Sequence, residues 1–92
     1  MNPRQLLLRL RDNKVWTKDT SAPNHTRYLV LGTSREFFIR LELNTHGGWF
    51  MWCKNLDIGM HHIAAASWED AQRKAENIVL NELKEIVAQL GD

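Results

Sequence analysis

The segment EFFIRLEL, residues 36–43, alternates between two sets of side chains along its whole length. One set consists of the apolar residues Phe37, Ile39, Leu41 and Leu43. The other set consists of Glu36, Phe38, Arg40 and Glu42. Because successive residues of a β-strand point to opposite faces of a sheet, this period of two predicts a strand with one buried face. Such a strand needs a second layer packed on its apolar side.

Two further strands are predicted on either side of this one in the sequence. Residues 27–33 are rich in Tyr, Leu and Val, and residues 49–54 contain Trp, Phe, Met and Cys. Residues 32–35 supply the first turn, and NTHGG, residues 44–48, supplies the second, since glycine adopts positive φ without penalty. The prediction is a three-stranded antiparallel meander, with residues 17–26 and 55–66 as irregular connections.

Helical patterns occur at both ends of the chain. Pro3 suits the first turn of a helix, and Leu6 and Leu10 then fall on one face, which predicts a helix over residues 3–12. Ser67, with Asp70 three residues later, forms a capping-box pattern that begins a long second helix.

The apolar stripe of the second helix continues to a stop at Gly91. Leu80 and Val87 make the stripe wider than one sheet requires, so we expect them to cover the first helix or a partner. The predicted fold is a single α+β domain over residues 1–92, with two layers and both helices on the Phe37 side of the sheet. The opposite side of the sheet is then uncovered.

Composition narrows the function classes. The 92 residues include 12 basic and 11 acidic residues, so the bulk charge does not draw the chain to nucleic acid or to an anionic membrane. One cysteine cannot form an internal disulfide, and no apolar run approaches the roughly 20 residues of a membrane helix. We expect a cytoplasmic protein that does not contact a membrane.

Catalytic and metal chemistry finds little support in the sequence. Cys53, His46, His61 and His62 are the types of side chain that bind zinc, but a single cysteine and an adjacent histidine pair do not give the usual spacing. Cys53 lies in a predicted strand, where a packed thiol is commoner than a nucleophile. We therefore expect no metal, no cofactor and no enzymatic activity.

Basic and aromatic side chains supply the candidate site. Arginine and aromatic residues provide most of the binding energy in protein interfaces, and they also stack on unpaired bases. The alternative is that the cations are solvated and the aromatic rings are core. The predicted partner-binding residues are Arg9, Arg11, Lys14, Lys18, Arg27, Arg35, Phe38, Arg40 and Trp52.

The order helix, three strands, helix resembles the double-stranded-RNA-binding domain. Ser67 and Ala71 match the serine and alanine of that family's second helix, but its lysines fall on Trp68, Glu69 and Gln72. The family holds duplex phosphates with those lysines, whereas an acidic helix start repels phosphates. The resemblance therefore implies that the shape is kept and the RNA contact is lost.

The segment Ser67-Trp68-Glu69-Asp70-Ala71, together with a Trp-rich strand and this length, resembles small bacteriophage anti-CRISPR proteins that act on type I-F effectors. That resemblance implies a non-catalytic inhibitor that binds the crRNA-guided surveillance complex and stops target DNA from binding or pairing. We expect a monomer or weak dimer in the cytoplasm of the bacterial host. Two alternatives remain: an altered RNA- or DNA-binding module, and a homodimer formed through Leu80 and Val87.

Overall fold

The computed structural model describes residues 2–12, 15–21, 25–31 and 37–90. Within them the chain forms two α-helices, five β-strands and one 3-10 turn. In chain order these are α1 (Pro3–Asp12), β1 (Thr17–Lys18), β2 (Thr26–Val30), β3 (Phe38–Leu43), β4 (Trp49–Cys53), the 3-10 turn (Lys54–Leu56), β5 (Ile58–Ile63) and α2 (Trp68–Gln89).

The five strands form one antiparallel sheet in the order β1-β2-β3-β4-β5. Each strand therefore pairs with its neighbour in sequence, and β1 and β5 lie at the two edges. The turn between β3 and β4 is held by Asn44, whose side-chain oxygen accepts hydrogen bonds from the backbone N–H groups of His46 and Gly48. Gly47 has φ +81° in this turn, which agrees with the predicted use of glycine.

The α+β class and both helices are confirmed, but the predicted three-stranded sheet is wrong. The central meander β2-β3-β4 matches the predicted strands, with ends that differ by a few residues. Two more strands lie in segments that were predicted to be irregular: β1 in residues 17–26 and β5 in residues 55–66. The predicted helix, three strands, helix order is accordingly incomplete.

Neither edge strand carries the hydrophobic alternation that identifies a strand in a sequence. β1 has two residues, both exposed, and four consecutive residues of β5 are exposed. Backbone pairing with β2 and β4 holds these strands in the sheet, and most of their side chains bury little surface. Periodicity reports burial rather than hydrogen bonding, so it did not detect them.

β5 contains an irregularity opposite Trp52. Met51 pairs with His61 and Cys53 pairs with Ile58, so Gly59 and Met60 together oppose one residue of β4. Met60 has φ +49°, a left-handed conformation that non-glycine residues adopt infrequently. This is the geometry of a β-bulge, in which the edge strand bends and its local twist increases.

The core lies between the sheet and the two helices. It includes Leu29, Ile39, Leu41 and Met51 from the sheet and Val79 from α2. These side chains have exposures near zero, and burying each one contributes about 1.5–3 kcal/mol.

The helices meet the sheet and each other on this side. Leu6 and Leu10 bring α1 into the same core cluster, and α1 also packs along α2. Ala71 and Ala75 of α2 are fully buried, which allows the helix backbone to approach the sheet closely. Leu80 is half-buried against this core, so the covering of α1 accounts for part of the wide apolar stripe of α2.

Candidate partner-binding surface

The side of the sheet opposite the helices carries a continuous set of half-buried and exposed side chains. The strand register places three cross-strand rows on this side: Tyr28, Arg40 and Trp52; Val30 and Phe38; and Glu42, Phe50 and His62. No helix in the described part of the chain packs on these residues, whereas the buried apolar residues of the strands all lie on the other side. We call these eight residues the uncovered face.

Aromatic rings on the uncovered face contact one another across the strands. Phe50 lies 5.4 Å from the His62 ring and 6.5 Å from the Trp52 ring, measured between ring centroids. Tyr28 and Phe38 form a second pair at 5.7 Å. Such pairs contribute about 0.5–1.5 kcal/mol beyond the area they bury, which favours this arrangement of the rings.

Arg40 is the cation at the centre of the uncovered face. Its guanidinium lies 4.9 Å from the Trp52 ring centroid, and its Nη2 lies 2.6 Å from a carboxylate oxygen of Glu42. Both charged side chains are about one-third exposed, so the ion pair contributes on the order of 0–1 kcal/mol to stability. Its larger consequence is electrostatic, because it cancels the charge at the middle of the face.

The four tryptophans differ in whether the indole N–H has an acceptor. Trp16 donates to a carboxylate oxygen of Glu76 at 3.0 Å, and Trp49 donates to the carbonyl oxygen of Ala65 at 3.2 Å. The indole N–H groups of Trp52 and Trp68 have no acceptor among residues 2–12, 15–21, 25–31 and 37–90, but Trp68 lies on the covered side, against Trp49 and Arg27. A tryptophan that packs on one side and presents a free donor on the other is typical of an interface residue.

Three of the predicted site residues come together on this surface: Phe38, Arg40 and Trp52. Arg27 does not join them. Its guanidinium donates to the side-chain oxygen of Gln72 at 2.9 Å and lies 4.3 Å from the ring centroid of Trp68, both on α2. Arg27 therefore fastens the sheet to the start of α2 on the covered side.

The other predicted cations are spread over the molecule. Lys18 pairs with Arg27 at the exposed β1 edge, where it also borders a concave site with Tyr28 and Phe38. Arg9 and Arg11 are exposed on α1, in the helical layer. Lys14 and Arg35 lie outside the described residues. The predicted single basic and aromatic surface is thus divided, and the uncovered face is aromatic rather than basic.

Sequence reasoning missed Tyr28, Phe50 and His62 as members of this surface. Tyr28 could have been found from alternation, since it is the neighbour of Arg27 and must face the opposite way. Phe50 alternates with Trp49 and shares the side of Trp52. His62 carried no such signal, because the strand that holds it was not predicted.

At the start of α2, the cations Arg73 and Lys74 lie next to an acidic side chain of the same helix. Ser67 caps the helix, since its hydroxyl accepts the backbone N–H of Asp70 at 3.1 Å. The Asp70 carboxylate accepts the backbone N–H of Ala66 and lies 2.5 Å from Arg73 and 3.2 Å from Lys74. The Ala66 N–H, followed by Lys74, lowers the pKa of Asp70. Both cations therefore face an acid of the chain, where a phosphate would have to compete for them.

Cys53 and the histidines do not assemble into a reactive centre in the described residues. Burial raises the pKa of the Cys53 thiol to about 11, so the thiol is protonated at neutral pH. The described part of the chain contains no group of three or more His, Cys, Asp or Glu side chains placed to hold a metal ion. Cys53 is accordingly a small apolar core residue at neutral pH.

Comparison with known protein families, with curated proteins and with solved structures finds no match to this chain. The fold and the surface define it as an α+β domain with two helices on one side of a five-stranded sheet and an aromatic face on the other. Among the described residues, neither helix is both long enough and apolar enough to cross a membrane.

Proposed function

We propose that this protein is a non-catalytic binding protein that docks its uncovered face onto a macromolecular partner. The observation that carries this proposal is the cluster of Trp52, Phe50 and His62, in ring contact with one another, on a side of the sheet that no described helix covers. Aromatic side chains are enriched at the centres of protein interfaces, where a few of them supply most of the binding energy.

The free indole N–H of Trp52 adds a directional contact to this apolar surface. A backbone carbonyl or side-chain oxygen of the partner would accept it, while the partner's apolar side chains would cover Phe50 and Phe38. The Arg40 guanidinium packs over the Trp52 ring, 4.9 Å from its centroid, so the ring is already restrained and loses little side-chain freedom on binding.

The partner that we propose is the type I-F crRNA-guided surveillance complex, in the cytoplasm of a bacterial host. Support comes from the size of the chain, its Trp-rich strand β4 and the Ser67-Trp68-Glu69-Asp70-Ala71 helix start, which resemble small anti-CRISPR proteins. In this proposal the bound protein blocks the complex from binding or pairing with target DNA.

Charge favours contact with a protein part of that complex. A net charge of +1 does not suit imitation of DNA, and the Arg40–Glu42 pair leaves the centre of the uncovered face neutral. A protein surface of mixed apolar and polar character is complementary to such a face, and an exposed phosphate backbone is not.

Size-exclusion chromatography with the purified type I-F complex tests this proposal. At micromolar concentration we expect the protein to co-elute and to reduce the binding of target DNA. Trp52→Ala should weaken binding by about 2 kcal/mol or more, which is roughly thirtyfold. Leu8→Ala is the control, because Leu8 is 56% exposed on α1, away from the uncovered face.

The possible results test two claims separately: that the surveillance complex is the partner, and that the uncovered face is the contact surface. Absence of co-elution with undisturbed DNA binding rejects the surveillance complex as the partner. Equal binding by the wild-type protein and Trp52→Ala, with both folded by circular dichroism, rejects the uncovered face as the contact surface.

Single-stranded nucleic acid is the second candidate partner, and the aromatic rings favour it. Bases stack on such rings with about 1–3 kcal/mol each, without regard to sequence. This candidate predicts binding to free oligonucleotides that weakens steeply as salt rises. If no mobility shift of single-stranded oligonucleotides is seen at low salt, nucleic acid is rejected as the partner.

A further inference from the structure

The eight residues of the uncovered face include one arginine and one carboxylate, and the others are aromatic, aliphatic or imidazole side chains. Arg40 and Glu42 lie two residues apart on β3, so both point to this side of the sheet. Their side chains are 39% and 32% exposed, so each charged group can meet a second molecule although the two already pair with each other. A face with one charge of each sign side by side can be complementary to a copy of itself.

Two-fold symmetry fixes how two such faces would meet. In a two-fold dimer the same patch is used twice, so a residue that contacts a second residue of the other copy is matched by the reverse contact. An axis that runs across the strands and passes through β3 at Leu41 exchanges the positions of Arg40 and Glu42. Each arginine then lies over the glutamate of the other copy, and like charges do not face each other.

The strand register extends this exchange to β4. Arg40 pairs with Trp52 in the sheet, and Glu42 pairs with Phe50. The same axis therefore places the Trp52 ring of one copy over the Phe50 ring of the other. It also brings the Trp52 indole N–H, which has no acceptor in the described residues, close to the Glu42 carboxylate of the other copy.

We propose that two copies of this chain pair through their uncovered faces, with Arg40 of each copy against Glu42 of the other and Trp52 against Phe50. Sheets that pack face to face lie about 10 Å apart with strand directions about 30° from each other, which leaves room for one interdigitated layer of side chains. The pairing removes half-buried aromatic rings from water, and the helices of both copies lie on the outside.

The size of the face sets the strength of this dimer. Strands β2 to β5 have 5 or 6 residues each. At about 4.8 Å between strands and about 3.4 Å per residue, they form a face about 19 Å wide and about 17–20 Å long, or about 350 Å² in projection. A standard stable interface buries about 800 Å² per partner, and smaller ones are typical of weak, transient contacts. We therefore expect a dissociation constant in the upper micromolar range.

The inference concerns the protein alone and does not rest on the surveillance complex. It goes beyond the proposed function, because it assigns a second occupant to the same surface. A second copy and a partner that needs the uncovered face would cover the same side chains and exclude each other.

Reversal of the two charges tests the arrangement by sedimentation over a range of protein concentrations. Arg40→Glu gives each face two carboxylates, and Glu42→Arg gives each face two cations. Each variant alone should dimerise about tenfold or more weakly than the wild type, because like charges then face each other. An equimolar mixture of the two variants should dimerise at least as tightly as the wild type, because each face then meets its opposite.

Two matched controls change the net charge by the same amounts elsewhere. Lys84→Glu and Glu85→Arg lie at exposed positions of α2, and both should dimerise as the wild type does. Circular dichroism checks the fold of each variant. The concentration dependence of the Trp52 indole N–H signal in NMR spectra of the wild-type chain is a second readout that needs no variant.

A wild-type chain that sediments as a monomer at millimolar concentration would overturn the proposal. So would a dimer that both folded charge reversals leave unchanged, since it must form through another surface such as Leu80 and Val87 of α2. A mixture of the two variants that stays monomeric contradicts the two-fold arrangement. Co-elution with the surveillance complex is a separate measurement, so a negative result in either experiment leaves the other proposal standing.

Discussion

Strand β4 contributes aromatic side chains to both sides of the sheet, and those on the two sides differ in burial and in hydrogen bonding. Trp49 is 7% exposed, packs edge-on against Trp68 of α2 and donates its indole N–H to Ala65. Trp52, three residues later, is half-buried, rests beside Phe50 and Arg40, and keeps a donor without an acceptor in the described structure. The same residue type thus completes a core on one side and forms a candidate contact surface on the other.

This contrast shows that aromatic content alone does not separate core positions from exposed positions in a sheet of this kind. The separation depends on which side a second layer occupies, and here α1 and α2 occupy one side only. Stability should therefore depend on the covered side, and binding on the uncovered face.

The largest expected effect comes from paired truncations on adjacent residues of β4. Met51 is fully buried on the covered side, so Met51→Ala should lower the free energy of unfolding by about 2–5 kcal/mol. Phe50→Ala removes a half-buried ring on the uncovered face and should cost about 1 kcal/mol, chiefly its contacts with Trp52 and His62. Urea denaturation measures both.

Equal costs for the two truncations would contradict the contrast between the sides. A large cost for Phe50→Ala would mean that the uncovered face also supports the fold.

The rate at which the Cys53 thiol is alkylated measures how well the covered side of the sheet is closed to solvent. With a pKa of about 11 in place of an ordinary 9.0, the thiolate population between neutral pH and pH 8 is roughly a hundredfold lower, so alkylation by iodoacetamide should slow by about that factor in the folded chain. Because the folded pKa is raised, protonated Cys53 supports the fold below pH 9, and this support is lost as pH rises through 11.

Mass spectrometry of the labelling rate, with urea-unfolded protein as the reference, checks the protection. Labelling of the native chain at the unfolded rate would show that the covered side opens readily. Steric burial of the thiol acts in the same direction, and the pH dependence isolates the ionisation.

The smallest effect on stability is expected for Glu42→Gln on the uncovered face. Removing the carboxylate breaks the ion pair with Arg40, which is partly exposed, so the free energy of unfolding should change by about 1 kcal/mol or less. The same change leaves Arg40 without its counter-charge and makes the centre of the face positive.

Binding of Glu42→Gln to single-stranded oligonucleotides should then rise above that of the wild type, with a steeper dependence on salt. Fluorescence anisotropy at two salt concentrations measures this. An unchanged salt slope would indicate that Arg40 does not meet phosphate on this surface.

The parts of the fold that the sequence predicted are those in which burial alternates. Phe37 to Leu43 and Trp49 to Cys53 alternate, and the helix starts carry Pro3 and Ser67, so the central meander and both helices followed from simple periodicity. β1 and β5 could not be predicted in this way, because most of their side chains stay exposed and the bulge at Met60 breaks the period.

The candidate surface was predictable only in part, for a related reason. Alternation in β3 and β4 placed Phe38, Arg40 and Trp52 on one side correctly. Arg27 was assigned to the same surface on charge alone, although its position in β2 directs it toward Trp68 and Gln72. Charge shows which residues can bind a partner, and register decides which of them share a surface.

The bulge at Gly59 and Met60 affects the tendency of the edge strand β5 to pair with other chains at high protein concentration. A flat edge strand exposes unpaired backbone N–H and C=O groups, and other chains can add strands to it and form fibres. The left-handed turn at Met60 interrupts the row of backbone groups along the β5 edge, which disfavours the addition of a further strand there.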